Sequence, residues 1–362
     1  MIKILYDYQI FSMQQFGGIS RYFANLHQHF QNEKEGISTL GVKFSNNHYI
    51  SSFNTPFNSY IASLLSKHKI HKWNRWYSND LIGKNDYDIF HPTYYDPYFL
   101  KKIKKPFVVT IHDMIHEIFP DYFEPDNVYS FYKRQLIEKA THIIAISAST
   151  KNDLVRFADI PEEKISIVYH GFNAPVLSTN PHLSAAPEKY ILFVGDRRVY
   201  KNFARFIYGI QPLMKKKRAM RLICAGGGPF QLAEWELLKR NKIEDSCTQV
   251  NVSDADLFRL YAHAAIFVFP SLYEGFGFPL LEAFNAGCPV AASNTSCFKE
   301  VGGEAAVYFD PYSVDDISAA ITAVIDNTEF TKKLTANGQL QLKKFTIEKC
   351  VERTGEVYKK ML

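Results

Sequence analysis

Short apolar runs recur along this chain, and longer amphipathic stretches separate them. Residues 108–111, 143–146, 165–169, 190–194, 221–225, 265–269, 290–292 and 306–309 are such runs, and each stops at a His, Gly, Ser, Pro or Asp. Runs of this length suit strands of a parallel sheet buried on both faces, and the stretches between them suit crossover helices. The pattern predicts an α/β architecture, in which ligands gather beyond the carboxyl ends of the strands. The opening MIKILYDYQIF reads as a first strand, because it turns polar too early for a signal peptide. Residues 88–91, DIFH, read as another short strand. Near the end, helices are expected over about 314–344 and from 347 to 362.

The periodicity breaks once. Residues 174–189, APVLSTNPHLSAAPEK, are rich in Pro, Ser and Ala and have no period. They read as a linker between an N-terminal domain, 1–173, and a C-terminal domain, 190–345. A length of 362 residues allows about two such cores.

The richest stretch is 271–289, SLYEGFGFPLLEAFNAGCP. Pro279 suits the first turn of a helix, and Gly287 with Pro289 marks its stop, so a helix is predicted over 278–286. Glu274 lies on the loop before it and Glu282 within it. Helical side chains lean toward the helix N-terminus, so the two carboxylates are expected to converge. Gly275, Phe276 and Gly277 offer backbone N–H groups where a helix start collects positive charge. Acceptor-only carboxylates beside an anion site match a ligand with both phosphate and vicinal hydroxyls, such as a nucleotide sugar.

Two other strand ends carry candidates. After 190–194 come Gly195, Asp196, Arg197, Arg198 and, beyond a turn, Lys201. Two cations at such a position can clamp a diphosphate without a metal ion. His112, closing 108–111, is placed to face a ligand. His116 stands four residues on, but a metal pair at that spacing needs both on one helix. His116, Glu117 and Asp121 read as residues lining an acceptor path or as solvated loop residues. Gly17 and Gly18, ahead of an amphipathic run through Leu26 and Phe30, read as a loop that approaches phosphate, or as a plain turn. Ser147 or Ser149 is expected to cap the helix after residue 146.

Composition narrows the setting. No apolar run reaches the length of a membrane span, and the five cysteines show no paired spacing, which fits a reducing cytosol. The net charge of +5 is unevenly placed: 67–105 holds nine Lys or Arg against four Asp, with Trp73, Trp76 and Tyr77 among them. Such a stretch suits an anionic membrane surface or a lipid-linked pyrophosphate acceptor, or is an ordinary solvated face. No nucleic-acid motif accompanies it.

The 271–289 stretch resembles the signature of retaining glycosyltransferases of family four, with its two Glu residues separated by seven others. The resemblance implies the GT-B fold: two Rossmann-like domains facing each other across a cleft, with a last helix, 346–362, crossing back to complete the first domain. It implies that Glu274 and His112 contact the donor sugar and Glu282 the ribose. It further implies that an Arg and Lys201 support the departing diphosphate. Asp196 stands where that Arg is usual, which leaves Arg197 and Arg198 as candidates, Arg197 favoured. Asp254 and Asp256, like Asp86 and Asp88, mimic the metal motif of the other main glycosyltransferase fold. Ser253 with Asp256 reads instead as a helix capping box, and no metal or cofactor is expected.

The run HDMIHEIFPDYF resembles that of bacterial mannosyltransferases of surface polysaccharide (O-antigen) synthesis. GDP-mannose is therefore the first donor, with a UDP-sugar as the alternative, and a glycan or polyprenyl-linked oligosaccharide is the acceptor. The enzyme is expected in the cytoplasm or peripherally at the inner membrane. Two rivals share the fold: a sugar-nucleotide epimerase, and a catalytically silent sugar-nucleotide-binding subunit.

Overall fold

The computed structural model describes residues 1–32, 36–53, 55–123, 128–173 and 190–362. The expected linker, 174–189, lies outside them. The chain divides into two compact units, Met1–Gly171 with Ile347–Leu362, and Phe172–Thr346.

The first unit is built on six parallel strands: β1 (Ile2–Tyr6), β2 (Gly36–Leu40), β3 (Ile89–His91), β4 (Val108–Ile111), β5 (His142–Ala145) and β6 (Ile165–Ile167). They pair as β2-β1-β3 and β4-β5-β6. A parallel bridge between Phe90 and Phe107 joins β3 to β4. Successive residues serve opposite faces. Ile4 and Tyr6 pack with Phe23 and Leu26, while Leu5 packs with Phe90, Phe99 and Leu136. Both faces are therefore covered, which is why the strands read as continuous apolar runs. The last helix, Ile347–Lys360, supplies Val351, Val357 and Tyr358 to the first of these clusters.

In the second unit the strands are β7 (Tyr190–Val194), β8 (Arg221–Ala225), β9 (Cys247–Val250), β10 (Ile266–Phe269), β11 (Val290–Ser293) and β12 (Ala306–Phe309). Their order is β12-β11-β10-β7-β8-β9, all parallel. The chain starts in the middle, builds outward through β8 and β9, then returns to add β10 on the other side of β7. Helices Phe203–Lys216 and Val314–Ile325 cover the sheet with Phe206, Ile207, Ile317 and Ile321. Each such side chain contributes roughly 1.5–3 kcal/mol by leaving water.

Several details differ from the sequence reading, extend it or choose between its alternatives. A short helix, Gln9–Met13, stands between β1 and the glycine pair. The first part of the basic stretch forms one helix, Lys67–Lys84, capped by Ser66. Strand β2 escaped notice because it alternates buried and exposed positions over only five residues. Ser147, not Ser149, caps helix Ala148–Ala158 by accepting from the Thr150 N–H at 3.0 Å. All five cysteines are buried free thiols. No described helix is long and apolar enough to cross a membrane.

Candidate active site

Strand β7 has β8 on one side and β10 on the other, so the chain leaves β7 and β10 in opposite senses and a crevice opens beyond their carboxyl ends. The loops that flank it carry Gly195 to Lys201 and Ser271 to Gly277. The Leu272 N–H donates to the Tyr200 carbonyl at 2.8 Å, which ties one loop to the other. Across this tie the Lys201 Nζ meets the Glu274 Oε1 at 2.6 Å, with only 17% of either side chain exposed. Burial pulls the Lys201 ammonium down, but the Glu274 carboxylate and its hydrogen bond raise it further, and the net direction is upward. Lys201 therefore stays a cation, set also above the rings of Tyr200 and Phe269.

A third loop holds Glu274 from behind. Its N–H donates to the Ser296 Oγ at 3.2 Å, and its carbonyl accepts from the Cys297 Sγ, also at 3.2 Å. Sequence reading missed this support, because nothing in SNTSC signals a contact with a loop twenty residues earlier. Gly277 opens helix Phe278–Asn285 in the left-handed region, φ +85°, where a side chain would be strained. Phe276 is buried against Phe278 and Phe345.

Glu282 lies in the second turn of that helix, half-buried, and its Oε2 accepts from the Tyr261 hydroxyl at 3.2 Å. The two carboxylates thus have different donors, Lys201 for one and Tyr261 for the other.

Arg197 departs from its expected use. Its side chain is 2% exposed; Nε bonds Glu234 at 2.8 Å, and both terminal nitrogens bond carbonyls of residues 226, 228 and 229. The guanidinium also lies over Phe230. It clamps the glycine loop after β8, where Gly227 has no room for a Cβ, and it is not free for a ligand. Arg198 has its side chain 64% exposed and pairs only loosely in water with Asp196, at 2.8 Å. Of the two arginines it is the one with an open guanidinium face. Gly195 has φ +114°, and its N–H donates to the Ala225 carbonyl.

In the first unit, His112 closes β4 with its backbone N–H donating to the Tyr95 hydroxyl at 3.1 Å. Its ring stacks on His170 with centroids 5.5 Å apart. Nδ1 is buried without a hydrogen-bond partner among the described residues. Burial pulls its pKa down to about 4, so the ring is neutral at pH 7. His116 and Glu117 are not loop residues but sit on one turn of helix, Ile115–Ile118. The His116 ring lies against Phe123, while Glu117 is bonded by Ser130 and by the buried Lys133, at 2.7 Å. Lys133 also donates to the Asp113 carbonyl at 3.0 Å. Sequence reading did not single it out, and only the fold reveals it as the brace of the segment after His112. Asp121 is exposed. Gly17 precedes and Gly18 opens helix Gly18–Asn32, where Ser20 turns back to the Gly17 carbonyl.

Residues 16–174 match the family described as Glycosyltransferase Family 4, and residues 178–341 the family described as Glycosyl transferases group 1. The chain is similar to O-antigen chain mannosyltransferase B of Escherichia coli, 30% identical over 287 residues that span 76% of this chain and 74% of that protein. It is also similar to O-antigen chain mannosyltransferase RfbU of Salmonella typhimurium, 26% identical over 56% of each chain. The fold matches the crystal structure of Anabaena HepE in complex with UDP and glucose, TM-score 0.72 at 17% identity, over 99% of this chain and 100% of that one. The chain belongs to the group 1 and family 4 glycosyltransferases and has their GT-B fold.

Proposed function

We propose that this glycosyltransferase moves mannose from GDP-mannose to a lipid-linked glycan, with retention at the anomeric carbon and without a metal ion. The observation that carries this reading is the Lys201–Glu274 pair at the crevice between β7 and β10. A diphosphate entering there would share the Lys201 ammonium with Glu274 and find Arg198 as a second cation. Glu274, once shared, has lone pairs for sugar hydroxyls, and Glu282 for those of the ribose. His112, neutral and with its Nδ1 unpartnered among the described residues, would bond a donor hydroxyl. The diphosphate oxygen would take the acceptor proton on the face it leaves, so the protein supplies electrostatic support and orientation. The mannose assignment is supported by the similarity to the two relatives above, both O-antigen chain mannosyltransferases.

For the lipid-linked acceptor, the support is helix Lys67–Lys84. Trp73 and Trp76 are exposed on it, beside Lys69 and Lys72, and Lys43 lies 5.5 and 5.6 Å from the two indoles. Exposed aromatics among cations suit an anionic bilayer surface.

The test is a thermal-shift series with GDP-mannose, UDP-glucose and ADP-glucose, followed by NMR of the transferred sugar. GDP-mannose is expected to raise the melting temperature most, and the product to be the α-mannoside. A β-linked product, or a shift only with UDP-glucose, would overturn the assignment.

A further inference from the structure

We propose that the first unit carries a preformed site for the neutral sugar residues of the acceptor glycan. The site is a cavity of about 590 Å³ between helix Gln9–Met13, the segment 45–51 and the helices on either side of Ser66. This deepens the function proposed above and rests on it.

Buried Phe11, Ser45, Asn47 and Ile70 line its floor. Asn47 Nδ2 donates to the Gln14 carbonyl at 2.7 Å, its Oδ1 accepts from the Tyr49 N–H at 3.0 Å, and the Ser45 hydroxyl donates to the Phe11 carbonyl at 2.9 Å. These bonds fix segment 45–49 against residues 11–14, so the floor exists before any ligand arrives. The mouth is different. The Gln15 amide, the Asn46 Oδ1, the His48 ring and the Lys67 ammonium line it and make no hydrogen bond among the described residues.

Three features select the ligand. Side-chain amides present donor and acceptor together, which matches hydroxyls that need both. Phe16, 58% exposed, lies nearly flat on His48, centroids 5.1 Å apart and 28° between planes, and forms an apolar platform for the C–H face of a sugar ring. Among the described residues no Asp or Glu lines the cavity, and Lys67 is its one Lys or Arg. A cationic ligand would lack a counter-charge, and a diphosphate would lack a second cation. The volume falls within the roughly 300–1,000 Å³ usual for small-ligand sites. Residues 14–16 run straight into Gly17 and Gly18, so an occupant would lie beside the loop already expected at the reaction.

The experiment is saturation-transfer NMR titration of the full chain with an α-linked mannotriose, repeated for Phe16→Ala and for the double variant Gln15→Ala/Asn46→Ala. These positions are exposed, and an unchanged melting temperature verifies folding. The wild type is expected to bind and each variant to bind at least about tenfold more weakly, as loss of a stacked ring or of two hydrogen bonds implies. Inorganic pyrophosphate should leave the signal in place. Equal binding by the variants, no signal from the wild type, or full displacement by pyrophosphate would each overturn the proposal. Mannotriose binding that the variants lose would support the site even where GDP-mannose gives no transfer, a result that would count only against the donor assignment.

Discussion

Lys201 and Glu274 make a pair in which each partner depends on the other. Lys201→Ala would leave a carboxylate that is 83% covered without its cation, and would remove the charge nearest the expected diphosphate. Transfer from GDP-mannose is expected to fall about 10²–10³-fold, as for loss of one preorganised charge-stabilising group. Glu274→Gln keeps the shape and should cost a similar factor, and initial-rate kinetics on both variants check this. The buried histidines give a separate, pH-dependent expectation. Burial holds His27 and His112 at about 4 and His91 at about 3, below the ordinary 6.5. Their folded-state affinity for protons is lowered, so below pH 6.5 the unfolded chain binds more protons than the folded one. Stability is then full above about 6.5 and declines as pH falls toward 4, by up to about 1.4 kcal/mol per pH unit for each histidine. Urea unfolding at pH 7, 6 and 5 should show midpoints that drop progressively; a flat series would contradict the burial of these rings.

Loops and helices decide which of two neighbouring arginines serves structure and which faces solvent. Arg197 is held by Glu234 at the start of helix Leu232–Asn241 and by the carbonyls after β8, so Arg197→Ala would take the cation from a mostly covered carboxylate and the donors from several carbonyls. Breaking a buried pair in this way costs about 3–5 kcal/mol. Arg198→Ala removes an exposed pair worth about 0–1 kcal/mol and should leave the melting temperature nearly unchanged while weakening GDP-mannose binding. Calorimetry and a donor titration on both variants separate the roles, and the reverse outcome would restore Arg197 as the cation that meets the diphosphate. This distinction was beyond the sequence, because adjacent arginines on one loop carry no mark of which turns inward. The runs that became β4, β7, β8, β10, β11 and β12 were readable because both their faces are apolar. Strand β2 and helix Lys67–Lys84 were not, since fewer than half of their positions are buried. Likewise Glu274, Lys201 and the helix start could be read from turn chemistry, whereas Ser296, Tyr261 and Lys133 act through contacts made only by folding.

The first unit is discontinuous in sequence, since the helix at the end of the chain completes a core begun at its start. Tyr358 is the point of closure. It is fully buried, its hydroxyl lies 3.0 Å from that of Tyr6 on β1 and 2.8 Å from His91 Nδ1 at the end of β3, and its ring packs near Phe30. His91 in turn reaches the Thr110 hydroxyl on β4 through Nε2 at 2.9 Å, so one polar chain crosses β1, β3 and β4 beneath the last helix. Tyr358→Phe deletes the hydroxyl but not the ring, leaving Tyr6 and His91 buried without that partner. The expected loss is about 1–3 kcal/mol, the cost of unsatisfied buried groups. Tyr358→Ala adds a cavity and should lose about 3–5 kcal/mol. Truncation after Thr346 uncovers Tyr6, Phe23 and Phe30 together, and the shortened chain is expected to lose the fold of its first unit. Because the Lys201–Glu274 pair lies wholly within the second unit, GDP-mannose protection of residues 190–345 should outlast that loss, as hydrogen exchange with and without the nucleotide sugar would report. Loss of exchange protection in both units at once would show instead that the last helix supports the whole molecule.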